Sequence, residues 1–318
     1  MGKQYSYYNQ EIKEKFIEEQ KDTMRSNCMS LFESSREIEE SLGKDLYQFN
    51  KTDIENFYGY LNKGSVKGLM VVHNGIRRYI RWALNKGLCD SYDIWIEDLT
   101  QGNLSRYCNQ VMMKATLIDR ETIIGWINSL RHDFDFYNPR NSFLLLAPFE
   151  GINGYNLSEI LTVKWEDFTC EGEKYFVQLW NRKIEISAEL YRLAEECAFT
   201  SNYYKYNKYK TLNRFDLKEG HEIVRAIKSK RSKGFSYVNA VKNAKAVLTM
   251  VGAEYVNLKN IDLSGKVYLV KQKAEEHGLA INDYLWSQYF KDEICYRFDM
   301  DKEYIANHVK NIKLLLNM

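Results

Sequence analysis

Residues 149–168 read FEGINGYNLSEILTVKWEDF, and along this stretch the periodicity of the chain changes. Ahead of it, Asn138 and Pro139 have the chemistry of a helix N-cap followed by a first helical residue, and RNSFLLLAPFE (140–150) continues as an apolar helix. From residue 161 onward the period shortens. LTVKWEDF (161–168), KYFVQLW (174–180) and KIEIS (183–187) alternate apolar with polar residues, separated by TCEGE and NR. Such alternation with short polar breaks predicts a small antiparallel sheet of three strands. Ser187 is placed to cap a helix over AELYRLAEECA (188–198).

Outward from this point, helical spacing dominates, and only two prolines interrupt the chain. TLIDRETIIGWINSL (116–130) sets Leu117, Ile123, Ile124, Ile127 and Leu130 on one helical face. LTQGNLSRYCNQVMMK (99–114) has weak periodicity and reads as a linker. Further upstream, residues 10–42 place Ile12, Phe16, Met24, Cys28, Leu31, Phe32 and Ile38 at helical steps, with Gly43 as a stop. Thr52 is the expected cap of a short helix carrying Ile54, Phe57, Tyr58 and Leu61. In VKGLMVVHNGIRRYIRWALNKG (66–87), Leu69, Val72, Ile76, Ile80 and Leu84 form the expected buried stripe, which leaves Arg77, Arg78 and Arg81 largely off it. Residues 200–318 read mainly as helices joined by polar loops, with NYYKYNKYK (202–210) as a low-complexity patch. The expected organisation is a helical domain over 1–98, a linker over 99–114, and a mainly α domain with a small antiparallel sheet over 115–318.

The composition bounds the function. A chain of 318 residues, 45% apolar and 28% charged, can build two globular cores. No apolar run approaches the roughly 20 residues that span a bilayer, and the start lacks a signal-peptide core, so a cytoplasmic protein without a membrane partner is expected. The six cysteines include no CxxC pair, which argues against a zinc site or a disulfide framework, and no cofactor motif stands out.

The net charge of +2 conceals an asymmetry. Residues 66–87 hold 5 basic and no acidic side chains, and residues 201–250 hold 12 basic and 3 acidic ones, whereas residues 1–60 are acid-rich. Two separated basic regions point to a polyanion-binding surface supplied by two domains.

GYNLSEILTVKWEDF (154–168) resembles the GLRxSELLxLxWxDID box of the tyrosine recombinases, the phage integrases. LIDRETIIGWINSL resembles the first helix of their catalytic domain, and the charge and size of 43–98 are similar to those of their core-binding domain. The resemblance implies a two-domain architecture: a helical, SAM-like core-binding domain, then an α+β catalytic-type domain. It also implies a chemistry of two phosphate-clamping arginines, a hairpin lysine, proton-transferring histidines and a tyrosine nucleophile. Position by position, the first arginine aligns with Asn156. In IDLSG (261–265), aligned with the second box, Ile261 replaces a histidine, Ser264 the second arginine and Gly265 the next polar residue. The hairpin lysine corresponds to Lys183 or to Arg182, and the nucleophile to Tyr304 in KEYIANHVKNIKLLL. Losing one charged transition-state donor costs about a hundred- to a thousandfold, so losing both arginines predicts a scaffold without catalysis.

Family members grip duplex DNA between their two domains, and the basic regions supply candidate contacts. They are Lys67, Asn74, Arg77, Arg78 and Arg81, then Arg225, Lys228, Lys230, Arg231 and Lys233, then Asn239, Lys242, Asn243 and Lys245, with Tyr237 as a phosphate donor. His73 is expected at the surface. The chain is similar to the recombinase-like repressors of SPβ-type temperate phages. That implies a transcriptional repressor of lysogeny, bound to double-stranded operator DNA and controlled by a phage or host protein. Two rivals stay open. One is an active integrase that uses Arg140 and Arg297 instead, and the other is an accessory recombination protein.

Overall fold

The structure is a computed structural model that describes residues 6–91, 96, 101–132, 137–206, 212–229, 234–301, 303 and 305–316. They form two compact units, Met1–Lys114 and Ala115–Asn317.

The first unit is helical: α1 (Gln10–Glu18), α2 (Asp22–Leu42), α3 (Lys51–Leu61), α4 (Val66–Asn85), α5 (Gln101–Leu104) and α6 (Gln110–Ala115). Phe16, Phe32 and Tyr79 meet edge-on at its centre, with centroids 5.0 Å apart for Phe16–Tyr79 and 4.8 Å for Phe32–Tyr79. Tyr79 Oη donates to Asp45 Oδ1 at 2.9 Å, which ties the inner face of α4 to the turn at Leu46–Gln48. Ser65 caps α4 by accepting from Gly68 N at 3.1 Å.

Four sequence expectations change here. The buried stripe of α4 is Val66, Leu69, His73, Ile76, Tyr79, Ile80 and Ala83, while Val72 and Leu84 are half-buried. His73 is fully buried, and its Nδ1 lies 2.7 Å from Tyr58 Oη, so it is a core residue and not a surface one. The cap of α3 is Asn50, which accepts from Asp53 N at 3.0 Å while Asp53 accepts in return, so Thr52 lies inside the helix. Residues 101–114 form α5, a 3-10 turn and α6, with Leu104, Cys108 and Met113 buried in the first unit. The helices in this stretch are too short to repeat a period, which is why it resembled a linker.

The second unit is organised around α8 (Pro139–Phe149), in which only Asn141 escapes burial. An all-round apolar helix is stable only when covered on every side, and α8 is covered by α7 (Arg120–His132), α10 (Ala188–Phe199), α11 (Tyr237–Met250) and α12 (Leu258–Glu276). Asn138 caps it by accepting from Arg140 N, with Pro139 in the first turn. After the short α9 (Ser158–Thr162) come β1 (Phe168–Glu171), β2 (Lys174–Gln178) and β3 (Lys183–Ile186), antiparallel in the order β1-β2-β3. The first strand lies later than its alternation suggested. LTVKWED belongs to the end of α9 and a 3-10 turn at Trp165–Asp167, and TCE is strand rather than break. Ser187 caps α10 by accepting from Leu190 N.

A two-stranded antiparallel hairpin, β4 (Asn202–Tyr206) with β5 (Leu212–Asp216), stands where helix and loop were expected. The unit ends in α13 (Ile281–Trp286), a π-helical turn at Phe290–Cys295 and α14 (Ile305–Leu316), which pack on α12 around Val270, Tyr284, Phe290, Ile294 and Ile312. No helix among the described residues is long and apolar enough to cross a membrane.

Helices α12 and α8 touch at Gly265, where an added Cβ would lie 1.9 Å from the carbonyl oxygen of Phe149. Gly265→Ala is therefore expected to destabilise the second unit by about 3 kcal/mol or more, because backbone must move. Gly125, inside α7, has nothing within 4 Å of its added Cβ. Gly125→Ala should stabilise the same unit by about 0.5–1 kcal/mol, through the better helix propensity of alanine. Urea midpoints of the two variants, moving in opposite directions, check both values.

Candidate nucleic-acid interface

The turn before α9 is built from left-handed residues: Gly154 at φ 67°, Asn156 at 53° and Leu157 at 61°. At Gly154 a Cβ would come 2.4 Å from Ser158 Oγ, so only glycine fits there. Asparagine adopts the left-handed region more readily than most side chains. The buried Leu157 and a buried ion pair hold the turn in place. Arg182 lays its fork on Glu159, Nη1 to Oε1 at 2.5 Å and Nη2 to Oε2 at 2.8 Å.

Asn153, Gly154, Asn156 and Leu157 form one wall of a cleft of about 540 Å³. Tyr237, Val241 and Lys245 of α11 form another, and Tyr255, Asn257 and Lys259 around the start of α12 complete it. Its cations are Lys245 and Lys259, and Glu254 is its carboxylate. Lysine is a compact point charge. It can hold an anion but lacks the planar fork that clamps a phosphorane at two oxygens. Asn156 offers only a neutral amide.

The other aligned positions do not reach this cleft. Ile261 is fully buried, and Ser264 is 2% exposed, donating to Asn260 O at 2.7 Å and accepting from Ile118 N at 3.0 Å. Both face the interior of the unit. The α12 cation that does line the cleft is Lys259, which the sequence reading passed over. The signal was there: Asn257 and Asn260 cap the helix reciprocally, which fixes its start at Leu258 and puts Lys259 in its first turn.

Arg182 is an internal residue rather than a hairpin cation offered to a phosphate. Lys183 pairs with Glu171 and lies over the Phe176 ring at 4.6 Å. Tyr304 lies outside the described residues. The two substitute arginines are also committed. Arg140 is stacked between Tyr203 and Phe235, and Arg297 Nε donates to Glu150 O at 2.9 Å. Burial depresses the pKa of both. Among the described residues no group of three or more His, Cys, Asp or Glu side chains can hold a metal ion.

The basic regions resolve into two helical faces. On α4, Lys67, Asn74 and Arg81 are exposed, Arg77 and Arg78 are half-buried, and Asn74, Arg77, Arg78 and Arg81 line one shallow groove of about 260 Å³. On α11, Asn239, Lys242 and Lys245 share the exposed face, with Asn243 half-buried and Tyr237 at its start. Arg225 leaves the candidate set. Its Nη2 donates to the carbonyls of Cys197, Ala198 and Thr200 at 2.6–3.0 Å, satisfying the C-terminus of α10. Lys228 is exposed, 4.0 Å from Glu219. Lys230, Arg231 and Lys233 lie outside the described residues.

A helical unit followed by a mainly α unit with a three-stranded sheet is the tyrosine-recombinase-like layout, and the sequence matches agree with it. Residues 7–85 match the MrpR N-terminal core-binding domain and residues 134–318 the MrpR C-terminal catalytic domain, so the chain belongs to the MrpR family. It is also similar to the SPbeta prophage-derived uncharacterized protein YopR of Bacillus subtilis (strain 168), at 24% identity over 205 residues. That match covers 62% of this chain, which spans 59% of the length of this curated relative.

Proposed function

We propose that the chain is a sequence-specific, double-stranded-DNA-binding transcriptional repressor that maintains phage lysogeny on a recombinase scaffold inactive in strand cleavage. One observation carries this reading. The cleft at the family's catalytic position presents Asn156, Lys245 and Lys259, while Ile261 and Ser264 are internal and Arg140, Arg182 and Arg297 are engaged elsewhere. A phosphate can be held there, but its transition state gains no bidentate clamp. What remains useful is grip. Helix α4, with arginine and asparagine side chains on one face, has the chemistry to read base edges in a major groove. Helix α11 offers a second lysine- and asparagine-bearing face.

Nuclease footprinting of the genomic fragments that the protein retains is the test. A short, repeated operator sequence at promoters is expected. Uniform protection without a defined site would favour an accessory or architectural role instead. Alanine variants then separate reading from positioning. Arg78→Ala or Arg81→Ala is expected to cost about 1–3 kcal/mol on the operator, and less on random duplex. Lys228→Ala should weaken both about equally. If Lys228→Ala lowers the operator-to-random ratio and the α4 variants keep it, the reading helix is not α4.

A further inference from the structure

We propose that the second unit carries a separate site for a small oxyanion-bearing ligand, a carboxylate or a phosphate ester, in a cavity where Arg120 and Arg297 converge on Glu150. The cavity measures about 500 Å³ and lies against the middle of α12, at Gly265, Tyr268, Leu269 and Gln272. It shares no lining residue with the cleft around Asn156. Its volume is that of pockets that take a whole small molecule.

The fold delivers the two arginines from distant parts of the chain. Arg120 opens α7, and Arg297 follows the π-helical turn at Phe290–Cys295. Arg297 Nε donates to Glu150 O at 2.9 Å, and Arg120 Nη2 stands 3.9 Å from Glu150 Oε1. Among the described residues neither guanidinium makes a further hydrogen bond or ion pair. The neighbouring Arg182, which donates through its Nε to Arg297 O, is the contrast, because it uses every donor it has. Arg297 is thus held away from the other cleft by one nitrogen, with its terminal nitrogens uncommitted.

The carboxylates at the cavity do not neutralise this pair. Glu150 is 7% exposed and accepts from Ser187 N at 2.8 Å and from Ser187 Oγ, which commits both its oxygens to the start of α10. Glu185 pairs with Lys174 at 3.2 Å, and Glu276 pairs with Lys273. The charge left over is the half-buried Arg297, with Arg120 beside it. A guanidinium withdrawn from water without a partner is costly, and an anion that completes its fork offsets that cost. The planar fork matches the paired oxygens of a carboxylate or a phosphate. Tyr268, whose ring meets that of Phe149 at 5.5 Å, and Leu269 add an apolar wall, which suits a ligand with an aromatic or apolar body over a bare ion.

Isothermal titration calorimetry of the full chain tests this, with phenyl phosphate, benzoate and benzamide as probes. At least one of the two anions is expected to bind one-to-one with a Kd of about 1 mM or below. The tighter of them assigns the ligand as a phosphate ester or a carboxylate. Benzamide, with the same ring and no charge, should not bind. Arg297→Gln and Arg120→Gln are each expected to weaken the anion about tenfold or more, through loss of a charge-assisted hydrogen bond. The Arg120 side chain is 29% exposed at a helix start, so that variant should fold, and it alone decides if Arg297→Gln does not. Three results would each overturn the proposal: unchanged affinity in either folded variant, benzamide binding as well as benzoate, or no binding of either anion at about 10 mM. No duplex is present, so the outcome is independent of the DNA-binding reading.

Discussion

Replacing Arg182 by alanine is expected to destabilise the second unit by about 3–5 kcal/mol, the cost of stranding one partner of a buried ion pair. The Arg182 and Glu159 side chains are 1% and 3% exposed. All five guanidinium donors are used: two on Glu159, and one each on Gly151 O, Arg297 O and Asn181 Oδ1. Alanine leaves a buried carboxylate and two carbonyls without these donors, with Asn153 N still directed at Glu159. In the double variant Arg182→Met/Glu159→Leu no buried charge is stranded, and part of the loss should return. Lys183→Ala, one residue away, removes an exposed pair with Glu171 and should cost under about 1 kcal/mol. Urea unfolding of the three variants gives the comparison. A loss below about 1 kcal/mol for Arg182→Ala would show that the box is not held by this pair.

Operator affinity is expected to fall about a thousandfold or more between 50 and 200 mM salt. The number of phosphates engaged sets the size of the effect. If both units engage one duplex through six to ten phosphate contacts, each contact releases condensed counterions, and the slopes add. Neither helical face alone has enough cations for that slope. A mobility-shift series with a nearly flat salt response would remove the two-unit engagement from the account.

Local chemistry was the legible part of the sequence. The Asn138–Pro139 start of α8 and the Ser187 cap of α10 are signalled by adjacent residues, strand β3 by strict alternation, and strand β2 by its β-branched and aromatic run between polar breaks. Strand β1 was displaced because only Phe168 of its four residues is buried, so it carries little alternation of its own. His73 was misread by residue type. Its spacing from Leu69, Ile76 and Ile80 already placed it on the inner face of α4. The roles of Arg140, Arg182, Arg225 and Arg297 were not legible, because each depends on partners far along the chain. A charge count treats a cation that caps a helix and one that meets DNA as the same residue. In the cleft, Asn156 was found from its motif, while Lys259 was passed over although the Asn257 and Asn260 pair signals the start of α12.

In the proposed function this scaffold binds DNA without cleaving it. The most direct measurement incubates the protein with supercoiled plasmid carrying its footprinted operator. Topoisomers are then resolved, and the DNA is assayed for covalently attached protein after denaturation. A retarded but still supercoiled plasmid is expected, with no relaxed product and no adduct, at protein concentrations that saturate the site. Relaxed plasmid together with a covalent adduct, both abolished in Tyr304→Phe, would contradict it.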